Sequence, residues 1–196
     1  MVAKTSVEPV GRENEEFVMR GARPEQAVQS RDTHLSKTDQ ARSTIGGMAD
    51  GLNDHRVDDI GQFFEGDFRW LGNYGCGTKK GLKEFQENWQ RPFQAAFADK
   101  VCVDEASLFM GERAAAFGRQ EATHSDEFME TASTGKRVEI RYLDFWNVVD
   151  EQIVDNWVMV DFSHVMAQPG LDCSSGHGWK AFDQGNRLPP RPVAAG

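Results

Sequence analysis

Residues 134–170 read TGKRVEIRYLDFWNVVDEQIVDNWVMVDFSHVMAQPG, and this stretch decides the fold. Residues 138–149 and 152–165 are rich in β-branched and aromatic side chains, with a tight acidic turn around Asp150 and Glu151 between them. That pattern predicts a long antiparallel hairpin. Side chains alternate along a strand, so Ile153, Asp155, Trp157, Met159 and Asp161 share one face. Val154, Asn156, Val158, Val160 and Phe162 share the other. Both faces are largely apolar, and both are expected to be covered. An acid in such a strand is costly to bury unless it is paired, protonated or put to use. Asp161 is therefore the residue to explain.

Working back from the hairpin, residues 101–109 and 112–124 read as two further strands. Before them the pattern is helical. Ser36 or Thr38 can cap a helix carrying Ala41, Ile45, Met48 and Leu52 at helical spacing, weakened by Gly46, Gly47 and Gly51. Val57, Ile60, Phe63 and Phe64 suggest a second short helix, followed by a strand at 68–71. Residues 72–77, GNYGCG, form a loop that matches no phosphate-binding pattern. A third helix from about Lys80 carries Leu82, Phe85 and Trp89, and Pro92 is expected to kink or end it. Helices first and an antiparallel meander afterwards define an α+β domain, with helices packed on one face of a strongly curved antiparallel sheet. Residues 1–37 read as a polar arm with a short helical piece at 15–19. The domain occupies 38–170, and 171–196 form a tail with one aromatic patch, Trp179 and Phe182.

Composition narrows the function. The chain has 196 residues, 39% of them hydrophobic, with 13 Phe and 5 Trp, which is enough for one well-filled domain. A net charge of −9 argues against nucleic-acid binding, which needs a basic patch against phosphates. No apolar run is long enough to span a bilayer, and the first residues lack a hydrophobic signal region. Cys76, Cys102 and Cys173 are too few and too scattered for a disulfide framework or a zinc site. A reduced, cytoplasmic protein with no metal is expected.

Three motifs then point to a family. Ala122-Thr123-His124 precedes Gly135 by eleven residues, Arg141-Tyr142-Leu143-Asp144-Phe145 follows, and Ile153-Val154-Asp155-Asn156-Trp157 leads to Asp161 and Gln168. In order and spacing these resemble the SnoaL-like polyketide cyclase branch of the NTF2-like cone fold, over roughly residues 38–170. The chain departs from the pattern at Glu151, where a Gly is usual in the turn, and at Pro169.

The resemblance implies a cofactor-independent cyclase, or a related lyase or isomerase, acting on a hydrophobic, enolisable small molecule. It makes Asp161 the general acid/base for an aldol-type closure, with His124 assisting. Desolvation raises the pKa of a carboxyl on an apolar face, so the physics suits the role. The plainer alternative is that Asp161 caps the turn before His164, and that His124 is a hydrogen-bonded histidine at a strand end. Trp157 shares a face with Asp161 and is a candidate pocket wall. Tyr142, Trp146, Trp70 and Trp89 are candidate ring-stacking surfaces, and His55 could reach the cone mouth from between two helices. An epoxide-hydrolase-like member of the same fold would need an Asp-Arg-Asp arrangement, whose nearest local match is Arg119-x-Glu121. A non-catalytic small-molecule binder is the reading from a different class. The family also implies a homodimer or higher homo-oligomer formed through the sheet.

Overall fold

The computed structural model describes residues 24–171, with Cys173 and Ser175 beyond them, and side chains from Thr33 onward. The expectations for a helical piece at 15–19 and for Trp179 and Phe182 lie outside the described residues. Helix α1 runs from Pro24 to Asn53, so it starts well before the Ser36 or Thr38 cap read from the sequence. Part of the expected polar arm is thus helical. Ala41, Ile45 and Met48 are buried, as their spacing predicts. The helix glycines have a packing reason. A Cβ at Gly47 would lie 2.7 Å from the Phe63 ring, and one at Gly51 would lie 2.6 Å from Ile60 Cγ2. Both neighbours belong to the 3-10 turn Asp59–Phe63, which presses against α1 at that point.

Among the described residues six strands make one sheet: β1 (Phe64–Gly72), β2 (Thr78–Lys80), β3 (Val101–Met110), β4 (Arg113–Thr123), β5 (Arg137–Val149) and β6 (Gln152–Val160). Their order is β2-β1-β6-β5-β4-β3. The antiparallel meander β3 to β6 is as expected, but β1 lies parallel to β6, so the sheet is mixed. Helix α2 (Gly81–Phe85), a π-helical turn (Gln86–Gln90) and helix α3 (Arg91–Ala96) follow the β1–β2 edge. Pro92 does not end this helical run. The wider π turn just before it makes room for a ring that would otherwise strike the preceding turn's carbonyl. Among the described residues no helix is long and apolar enough to cross a membrane.

Besides the register shift between Phe64 and Arg69 in the β1–β6 pairing, two bulges curl the sheet. The β3–β4 register shifts between Asp104 and Ala106, and the β5–β6 register shifts between Asn147 and Val148. Opposite the first stands Gly118, where a Cβ would meet Val103 O at 2.2 Å. The second corrects the face assignment made from alternation. Val154 is the extra residue, so Ile153 faces the core while Asp155, Trp157 and Met159 turn outward. Trp157 is 40% and Met159 58% exposed, whereas Asn156 and Val158 are buried. Asp155 lies beneath Arg69, whose Nε donates to Oδ1 at 2.6 Å. The hairpin turn Asp150-Glu151 has φ of +48° and +63°, the double left-handed geometry of a two-residue turn.

Strand β6 stops at Val160, short of the predicted 165. Helix α4 (Phe162–Ala167) begins there, capped by Asp161. Among the described residues the interior holds two apolar clusters. Ala41, Ile45, Phe68, Trp70, Trp146 and Ile153 belong to the first, and Phe93, Phe97, Ile140, Phe162 and Val165 to the second. Trp89 and Val160 pack against both.

Candidate active site

Where the two clusters meet, the curled sheet and the helices enclose a cavity of about 100 Å³. One wall is aromatic. Trp70 and Trp89 stack with ring centroids 4.6 Å apart, and Trp89 stacks on Phe93 at 4.9 Å. The inward side chains of β5, Ile140, Tyr142, Asp144 and Trp146, form the floor, with Asn156, Val158 and Val160 of β6 beside them. Gln90, Lys100 and Gln120 add the remaining polar lining.

Among the described residues, Asp144 is the carboxylate that lines this cavity. Burial pushes its pKa up to about 7, and the Asp104 charge adds to the effect, while the Asn156 amide opposes it. Asn156 Nδ2 donates to Asp144 Oδ1 at 3.3 Å. A carboxyl so poised exchanges a proton near neutrality. Next to it, Tyr142 Oη donates to Asp104 Oδ1. Burial and that bond both raise the phenol's pKa, so Tyr142 stays neutral. Asp104 is exposed, so the pair links the cavity to solvent. Burial also pushes the Cys102 thiol up to about 11 and lowers the Lys100 ammonium.

The structure brings together four of the residues read from the sequence: Tyr142, Trp146, Trp70 and Trp89 line the cavity. The other four lie elsewhere. Asp161 is exposed and accepts from His164 N at 3.0 Å, the helix-capping role of the plainer alternative. His124 is buried just past the end of β4, its Nδ1 3.2 Å from Thr134 Oγ1, against the Phe97 ring rather than in the cavity. Trp157 stands on the outer face of the sheet. His55 is exposed after α1, with Nδ1 3.1 Å from Gln94 Nε2. Arg119 is held by Glu121, Glu105 and Glu139 at 2.9, 3.4 and 3.8 Å, and none of the four lines the cavity. Among the described residues no arginine does.

Asp144 is not among the site residues marked from the sequence, because Arg141, three residues away, faces the opposite side of the strand, yet a signal is present. Asp144 shares the period-two face of β5 with Tyr142 and Trp146, both already marked as ring surfaces. Asn156 was placed on the right face, with Val158 and Val160, but its meaning depended on the Val154 bulge.

A curled sheet that wraps its helices around an internal cavity defines an NTF2-like cone. Solved structures share it. IdmH, a candidate polyketide cyclase from Streptomyces antibioticus, superposes with a TM-score of 0.58 at 25% identity, over 67% of this chain and 99% of that one. AclR, a candidate hydroxylase from Streptomyces galilaeus, gives 0.60 at 18%, over 68% and 82%. An NTF2-like protein of unknown function from Burkholderia pseudomallei gives 0.57 at 17%, over 67% and 98%. A search of curated proteins returns no match. The sequence model of the SnoaL-like polyketide cyclases matches residues 43–169, and the chain belongs to that family.

Proposed function

We propose that the protein is a cofactor-independent, cyclase-like enzyme acting on an enolisable, ring-forming small molecule, with Asp144 as its general acid/base. The observation that carries this reading is a carboxyl with a pKa near 7 inside an aromatic cavity. Ionised Asp144 takes a proton from a carbon flanked by carbonyls. The resulting carbanion, held as its enolate, attacks a second carbonyl of the same molecule. The proton on Asp144 then passes to the new alkoxide, which balances the step and restores the carboxylate. The stacked Trp70, Trp89 and Phe93 rings would hold the substrate flat and keep water from the enolate. At about 100 Å³ the cavity is smaller than the dry cavity of about 150 Å³ that takes benzene, so it would hold at most one small ring. A larger substrate would place one ring inside and leave the rest towards the mouth.

The reading also includes a homodimer. Phe117, Leu143, Phe145, Trp157 and Met159 form cross-strand neighbours on the outer face and are each 39–58% exposed, an apolar patch suited to a second copy.

The test is hydrogen exchange from the α-carbon of cyclic ketones into deuterated water, followed by NMR. The parent should accelerate exchange, Asp144→Asn should lose about 10²-fold or more, and Asp161→Asn should keep it. Loss in Asp161→Asn with retention in Asp144→Asn would return the role to the capping residue.

A further inference from the structure

One end of the cavity carries polar groups that the proton-transfer step does not use. Lys100, immediately before β3, is only 5% exposed. Its amine donates to Gln94 Oε1, a neutral acceptor, and among the described residues no carboxylate comes within ion-pair distance of it. Burial lowers its pKa, with only the Cys102 thiol opposing. Gln90 is 6% exposed, and neither its Oε1 nor its Nε2 has a partner. Gln120 engages the Cys102 sulfur but leaves its buried Oε1 without a partner. Buried polar groups are ordinarily satisfied, and a buried cation is ordinarily matched by an anion. Three such exceptions in one cavity point to a ligand.

Backbone geometry sets the three side by side. Cys102 pairs with Gln120 across β3 and β4, and Lys100 lies two residues before Cys102 on the same face. On the helical side Gln90 closes the π turn, a distortion frequent at functional sites, and Gln94 follows one turn later. The Lys100–Gln94 bond joins the two sides. Unused capacity comprises the remaining Lys100 donors, both Gln90 amide hydrogens, and the carbonyl oxygens of Gln90 and Gln120. A positive charge with surplus donors fits an anionic oxygen, and the two free carbonyls fit a neighbouring hydroxyl.

We propose that Gln90, Lys100 and Gln120 form a recognition subsite for an acidic oxygen of the ligand, an ionised enol or a carboxylate carried on a small ring. Its part in turnover rests on the reading of Asp144 given above, because it would orient the ring against that carboxyl. The recognition itself is separable and shows in binding alone.

The experiment is calorimetric and tryptophan-fluorescence titration with three ring-matched probes at neutral pH. These are 1,3-cyclohexanedione, largely ionised as its enol, cyclohexanecarboxylate, and neutral cyclohexanone. At least one anion should bind tenfold or more tightly than cyclohexanone. A preference for the dione identifies an enol ligand, and a preference for the carboxylate identifies an acid. Lys100→Met should bring anion and ketone within about twofold, and it should fold, because it replaces an unpaired buried charge by an apolar chain of similar length. Gln90→Leu, a second variant independent of the charge, should weaken the anion severalfold. Asp144→Asn should leave anion binding intact or tighten it, so failure of the proton-transfer reading would not disturb this result. Equal affinity for anions and ketone, no measurable anion binding, or a preference that survives Lys100→Met would overturn the proposal.

Discussion

Replacing Asp144 by Asn should make the protein more stable, and increasingly so as pH rises. The folded carboxyl has a pKa of about 7, against about 3.9 for an aspartate in an unfolded chain. At about 1.4 kcal/mol for each tenfold in proton affinity, ionising Asp144 in place costs at most about 4 kcal/mol. Water entering the cavity brings the expected figure to about 2–4 kcal/mol. The sign follows from proton counting. Between about pH 4 and pH 7 the unfolded chain has released this proton while the folded one still holds it, so stability falls as pH rises through that window. Above the folded pKa the full penalty is present and the slope vanishes. Asn has nearly the same shape and its carbonyl still accepts from Asn156, but it carries no charge, so the slope is absent from the variant. Urea unfolding of both proteins at pH 4.5, 6 and 8 measures the effect. The two should lie close together at the lowest pH and differ by about 2–4 kcal/mol at the highest, or about 5–15 °C in Tm for a chain of this size. Other titrating groups are common to both proteins and cancel in the difference. A stability difference that stays constant with pH would refute the claim that the fold raises this carboxyl's pKa towards neutrality, and the acid/base assignment would lose its support.

Three further outcomes follow from the geometry. Asp161→Ala removes the α4 cap and should cost about 1 kcal/mol in urea unfolding while leaving ketone exchange at the parent rate. Glu151→Gly relieves a side chain held at positive φ in the hairpin turn and should raise the unfolding free energy by about 0.5–1 kcal/mol, moving the urea midpoint up with an unchanged slope. Met159→Glu places a charge in the outer apolar patch and should shift the sedimentation coefficient from dimer to monomer; a parent that is already monomeric would remove the interface.

The fold was largely legible because its signals are local. The two long β runs, the turn between them and the Ala41–Ile45–Met48 stripe each fix their own element from side-chain type and spacing. What escaped was tertiary. Parallel pairing of β1 with β6 depends on where the helices carry the chain, and nothing within residues 64–72 specifies the partner. Pro92 reads as a kink or an end in a local scheme, and the π turn before it lets the helix continue. The start of α1 was missed for a different reason: residues 24–35 have no apolar stripe to show a period.

The site was harder because one inserted residue governs it. Without the Val154 bulge, strict alternation would put Asp155, Trp157 and Asp161 on the face of Ile153, which is the core face. With it, that group turns outward and Asn156, Val158 and Val160 turn inward against β5. A bulge leaves little mark in composition, since Val is as good a strand residue as any. The carboxylate carried inward is therefore the one on β5, where alternation runs unbroken from Ile140 to Trp146. There Asp144 sits two residues from Tyr142 and from Trp146, and it meets Asn156 across the strand pair. Asp161 lies beyond the strand's end, where the chain needs an acceptor for the first free N–H groups of α4. Capping and proton transfer near neutrality suit different settings, because a cap stands at an exposed helix end beside free backbone N–H groups, while a base near neutrality needs a buried pocket that destabilises its ionised form. On the proposed reading the two settings belong to two different aspartates, Asp161 at the start of α4 and Asp144 in the cavity.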